Sequence, residues 1–171
     1  YVGRDQFRDG LRHYLKRHEF ACASSHHLWE ALEEASEKPV TKIMKSWIEQ
    51  PGFPVVDVKR EGDKLLLTQR RFSYLPNELK QEWLIPVAIK IFYVNGHSKT
   101  ITTLLDKENT TVDIASDAAG YKVNHDQPGF YGVKYLEHGD LQELGKRVEN
   151  KELSPVDRWG LQNDLYALVR G

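Results

Sequence analysis

The stretch KRHEFACASSHH, residues 16–27, sets His18 and Glu19 ahead of Cys22, with His26 and His27 a few positions on. On one continuous helix, two ligands a turn apart with a glutamate beside them can hold zinc and activate water. The local sequence argues against that use. ACASSHH interrupts the apolar pattern, and Ser24 or Ser25 suits the N-cap of a new helix, HHLWEAL. Cys22 then falls in a turn rather than one helical turn beyond His18, and His18 reads as structural. His26 and His27 point to different sides of a helix start, which reads as solvated rather than metal-binding.

The other reactive residues are dispersed. His13, His97, His125 and His138 share no ligand spacing. Cys22 has no evident partner to activate it in sequence, so a buried or inert thiol is expected. Lys59, Arg60, Lys64, Arg70 and Arg71 alternate with Glu61 and Asp63, as on the solvated face of a hairpin. DQPGFYG has glycines but lacks the strand-to-helix setting of a phosphate loop. Asn109-Thr110-Thr111 matches a glycosylation acceptor, which matters only in a secreted protein. No nucleophile, base and oxyanion pocket assemble, so no catalytic, metal-binding or cofactor-binding residue is assigned.

The elements that would position these residues fall into three zones. Residues 4–50 read as helical. Phe7, Leu11, Tyr14, Leu15 and His18 form one face, Leu28, Trp29, Leu32 and Ala35 a second, and Val40, Ile43, Met44, Trp47 and Ile48 a third. Pro39 suits a first helical turn, and QPGFP stops the last helix. From Val55 to Tyr135 the period becomes two. VVDVKREGDKLLLTQRRF predicts two strands around a turn at residues 60–63. Ile85, Val87, Ile89, Ile91 and Tyr93 predict one buried face, and Asn95-Gly96 a tight turn. KTITTLL, TTVDI, GYKVN and FYGVKY add short strands without intervening helices, which favours an antiparallel sandwich over a parallel sheet. Helix returns with Leu141, Leu144 and Val148, and again at Ser154-Pro155-Val156-Asp157, where Ser154 is the cap and Asp157 lies near the positive helix end. Leu161, Leu165, Leu168 and Val169 continue it. The fold class is α+β.

Composition sets the outer bounds. The 171 residues carry 24 basic and 25 acidic side chains, a net charge of −1, which gives no support to a nucleic-acid or anionic-membrane partner. A single cysteine excludes an internal disulfide framework and fits a reducing, cytoplasmic setting. No apolar run approaches a membrane span, YVGRDQFRDG is not a signal peptide, and the chain begins as if cut from something longer.

The order of the segments resembles the later part of the zinc-dependent gluzincin aminopeptidases, the family of the puromycin-sensitive, membrane alanyl and archaeal tricorn-interacting enzymes. Phe7, Gly10, Leu11, Tyr14, Leu15, His18 and Phe20 match one motif. Leu28, Trp29 and Leu32 match the next, followed by Val40, Ile43, Met44, Trp47, Gln50, Gly52, Phe53, Pro54 and Val55. Trp83–Pro86, Lys122–Tyr131 and Leu153–Asp164 extend the similarity. The resemblance implies that residues 1–52 are the end of a thermolysin-like helical subdomain, 53–136 a β-sandwich domain, and 137–171 the start of a C-terminal α-helical domain. It implies that the family's zinc motif, exopeptidase motif and transition-state tyrosine lie upstream, so that this chain alone is inactive and zinc belongs to a full-length parent. There the metal would polarise the scissile carbonyl and activate water as N-terminal residues are removed from peptides. Partners would be the remaining catalytic and helical domains and, for the parent, peptide substrates. Trp29, Trp47 and Phe53 are the expected packing anchors. Two positions depart from the family pattern. His27 stands where an acidic residue is common, and a protonated histidine would repel the positive helix end. Gly132 stands where many members have arginine. The rival reading is a stand-alone β-sandwich module with helical flanks that binds a protein or peptide.

Overall fold

The computed structural model describes residues 1–75 and 80–170 and divides the chain into two compact units, Tyr1–Pro51 and Gly52–Gly171.

The first unit is three helices: α1 (Arg4–Arg17), α2 (Ser25–Ser36) and α3 (Val40–Ile48). Gly10 lets α1 lie directly on α2. A Cβ at Gly10 would stand 3.0 Å from both the Ala31 carbonyl oxygen and the Leu32 Cα, leaving no room for a side chain. The buried apolar set is small, with Ala31, Leu32, Val40 and Ile43. Phe7, Leu15, Phe20 and Ile48 remain exposed.

The second unit is a sandwich with two helices. β1 (Pro54–Glu61) and β2 (Lys64–Arg71) form the expected hairpin around Gly62-Asp63. They are followed by β3 (Ile85–Tyr93), β4 (Ser98–Leu105), β5 (Asn109–Asp113), β6 (Ala118–Val123) and β7 (Gly132–Tyr135), then α4 (His138–Glu149) and α5 (Pro155–Arg170). One sheet has the order β5-β2-β1-β7, the other β4-β3-β6. Val56, Val58, Leu65, Leu67, Trp83, Ile85, Val87 and Ile89 are fully buried. Alternation thus predicts the core of β3, except that Tyr93 is only half-buried while Phe92 is buried. A register shift between Phe92 and Tyr93 in the pairing with β6 turns the pleat over at that point. The sandwich is not wholly antiparallel: β1 and β7 pair in parallel, Val55 opposite Gly132 and Val58 opposite Tyr135. Chain order conceals that pairing, because the first and last strands meet across every element between them.

Candidate functional site

The HEFAC stretch does not form a ligand set. α1 ends at Arg17, His18 is its C-cap, and Cys22 lies exposed in the following turn rather than buried. The His18 ring stacks on that of His27, 4.5 Å between centroids and 14° from parallel. His27 is more than a solvated residue of a helix start. Its Nδ1 accepts the Ser24 N–H at 3.2 Å, the service a carboxylate gives at this position in a capping box, and the bond requires that nitrogen to be unprotonated. His26 lies edge-on to the Trp29 ring, with its Nε2 3.3 Å from Glu30. Trp29 and Trp47 are half-buried in the helical unit, and Phe53 is half-buried in the sandwich unit. Phe53 stacks on Phe72 (4.9 Å) and meets Phe130 (5.4 Å).

A dense polar constellation lies elsewhere, where the end of β6 meets the start of α5. The chain leaves β6 through a loop with three left-handed residues, Asn124 (φ 55°), Asp126 (φ 62°) and Gln127 (φ 53°). Asparagine and aspartate tolerate that region better than most residues. Asn124 is fully buried and holds the loop closed: its Oδ1 accepts the Gly129 N–H at 3.0 Å while its Nδ2 donates to the Gly129 carbonyl at 3.0 Å. The turn therefore carries its own side-chain scaffold.

Asp157 binds that loop to the helix. Its amide donates to Ser154 Oγ at 3.1 Å, which establishes Ser154 as the cap of α5. Its carboxylate, 1% exposed, accepts from the Asp126 amide at 2.9 Å and lies 2.7 Å from His125 Nδ1. Lys122, also fully buried, donates to the Val123 carbonyl at 2.6 Å and stands 3.9 Å from Asp157. Burial pushes the Lys122 ammonium below its ordinary range, opposed by the charges of Asp157 and Asp164. Desolvation raises Asp164 to about 6, against the pull of Lys122 and of the Val133 amide. Tyr135 fastens the sheets to each other. Its hydroxyl accepts the Val123 N–H at 3.0 Å, and burial drives its pKa well above the ordinary range.

His125, Asp126 and Asp157 bring three potential metal-ligand atoms within 4.8 Å of one another. The bonding does not suit a cation. The Asp157 oxygens are engaged by an amide and an imidazole, and the Lys122 ammonium stands on the same carboxylate. Neither here nor at His18 do the residues fit the zinc that the resemblance implies for the parent. What the arrangement can do is hold α5 and the loop after β6 in one geometry. Sequence spacing hides it, because His125 and Asp157 lie far apart in the chain. The signal available was the pair of motifs around Lys122-x-Asn124 and Ser154-x-x-Asp157, which fold onto each other.

Residues 1–47 match the Peptidase family M1 domain. The chain is 40% identical over 97% of its length to Probable aminopeptidase 2 of Sulfurisphaera tokodaii, and 37% identical over 99% to Leucyl aminopeptidase of Saccharolobus solfataricus. It is 36% identical over 99% to Tricorn protease-interacting factor F2 of Thermoplasma acidophilum. Over nearly its whole length, the chain is a relative of the M1 aminopeptidases. It spans 20% of the length of each of these relatives.

Proposed function

We propose that this chain is the non-catalytic scaffold segment of a zinc metallo-aminopeptidase that removes N-terminal residues from peptides in the cytoplasm. In this reading residues 1–52 close the catalytic domain, 53–136 form the sandwich domain, and 137–171 begin the C-terminal helical domain. Its partners are then the rest of the parent and, for the parent, peptide substrates. One relative's name speaks of interaction with tricorn protease, which makes a peptide-processing assembly the natural setting.

The observation that carries the reading is the burial of the motifs on which the resemblance rests. Lys122, Asn124 and Asp157 are at most 1% exposed and bonded to one another's surroundings, out of a substrate's reach. Groups so enclosed set geometry rather than turn over substrate. Trp29, Trp47 and Phe53, each half-buried, are assigned as packing anchors toward the rest of the parent. The test is metal analysis and an aminoacyl-arylamide assay on the purified 171-residue chain beside the full-length protein. Zinc and activity are expected only in the full-length protein. Stoichiometric zinc with turnover in the short chain would defeat the proposal.

A further inference from the structure

Beside the Phe53–Phe72–Phe130 rings the sandwich unit contains a cavity of about 320 Å³, whose wall also includes Gly132, Trp159 and Asp164. Asp164 is 8% exposed, and its buried Oδ2 has no hydrogen-bond partner. The cation that acts on it, Lys122, already donates to the Val123 carbonyl and stands by Asp157. A buried carboxylate oxygen without a partner is costly, so a ligand that donates to it would be favoured there. Nothing on β7 fills the space. A Cβ at Gly132 would sit 3.6 Å from Asp164 Oδ1 and 3.5 Å from Val55 Cγ2, ordinary contact distances, so the missing side chain leaves an opening beside the acid.

We propose that this cavity binds a guanidinium group, with Asp164 as its charge partner and the surrounding aromatic rings as its walls. A metal ion would find one carboxylate and few other ligands. An ammonium is strongly hydrated, and beyond Asp164 the lining side chains that could replace its water are Gln127 and Asn163, the first already bonded to Asn124. A guanidinium is planar and weakly hydrated, pairs two-pronged with a carboxylate, and stacks on aromatic faces. The volume suits a group of side-chain size. The inference is independent of the aminopeptidase reading, since it concerns a site apart from any peptide hydrolysis.

Calorimetric titration of the 171-residue chain with phenylguanidinium, its uncharged phenylurea analogue and N-acetyl-arginine amide tests it. Saturable binding of phenylguanidinium but not of phenylurea is expected, weakened at least roughly tenfold in Asp164→Asn. Binding of the arginine amide as well would identify a peptide side chain as the source, and its failure to bind a free small guanidinium compound. Gly132→Arg supplies the group from the chain itself, so it should abolish titratable binding and raise Tm. Absence of saturable phenylguanidinium binding into the millimolar range, or equal binding to Asp164→Asn, would overturn the proposal. So would full binding by a folded Gly132→Arg.

Discussion

The two compact units are held together by different means. The sandwich unit owns a dry core, with Val56, Val58, Leu65, Leu67, Ile85 and Ile89 fully excluded from water, and a buried polar latch that joins its last helix to it. The helical unit buries little more than Ala31, Leu32, Val40 and Ile43, and its long-range charge contact, Arg17 to Glu34, is exposed. Burial of apolar area dominates folding free energy, whereas exposed ion pairs contribute little. The sandwich unit therefore draws on a far larger dry core than the helical unit, while both leave large apolar side chains exposed, Phe130 and Trp159 in the one, Phe20 and Ile48 in the other.

The contrast is sharpest at the latch. Asp157→Ala strands Lys122 and His125 in a buried site without their acid, and should cost roughly 3–5 kcal/mol, read as a lower midpoint in denaturant titration. A loss below about 1 kcal/mol would show that the latch does not hold the unit. Asp164 gives the next largest effect, of opposite sign. Burial keeps its proton on up to about pH 6 in the folded chain, whereas the unperturbed value is 3.8. The folded state binds the additional proton between those values, so this group's contribution favours folding most below that window and declines as pH rises through it. Asp164→Asn should remove the decline and stabilise the unit above pH 6 by on the order of 3 kcal/mol. Melting of the two chains from pH 4 to pH 7 measures it, and parallel profiles would reject it.

In the helical unit the expected effects are smaller. Gly10→Ala forces α1 off the Ala31 carbonyl and should cost about 1–3 kcal/mol, detected as faster amide exchange in α1 and α2. An unchanged exchange pattern would mean the helices are not in tight contact. His27→Ala removes the acceptor for the Ser24 amide and should cost about 1 kcal/mol, while His27→Glu should restore it. Glu failing to rescue would assign the effect to the lost ring stack on His18 instead. Arg17→Ala is expected to leave the melting temperature unchanged within error; a measurable drop would contradict the weakness assigned to that exposed pair.

Periodicity made most of the elements legible. The three helical stripes, the hairpin around Gly62 and the Ser154 cap all follow from local spacing. What escaped depends on contacts distant in sequence. Lys122 sits in a strand whose two faces are both covered, so alternation cannot tell that a charged residue there is buried. Alternation places Tyr93 on the buried face, because a register shift leaves no trace in the pattern of apolar residues. His27 reads as a misplaced base until its Nδ1 is seen accepting an amide. The His125–Asp157 contact needed both motifs on one surface before either had a purpose.

The parallel pairing of β1 with β7 has a consequence for how this region can be cut or synthesised. The strand that opens the sandwich finds its second neighbour only in the segment that closes it, Val56 beside Val133. During synthesis β1 must wait with one edge bare until Tyr135 has emerged, and a chain ended short of Gly132 keeps that edge bare for good. Such an edge invites pairing with other molecules. Expression boundaries placed before Gly132 should therefore yield aggregates, and those placed beyond Tyr135 a sheet in which β1 is paired on both sides and the edge is the four-residue β7.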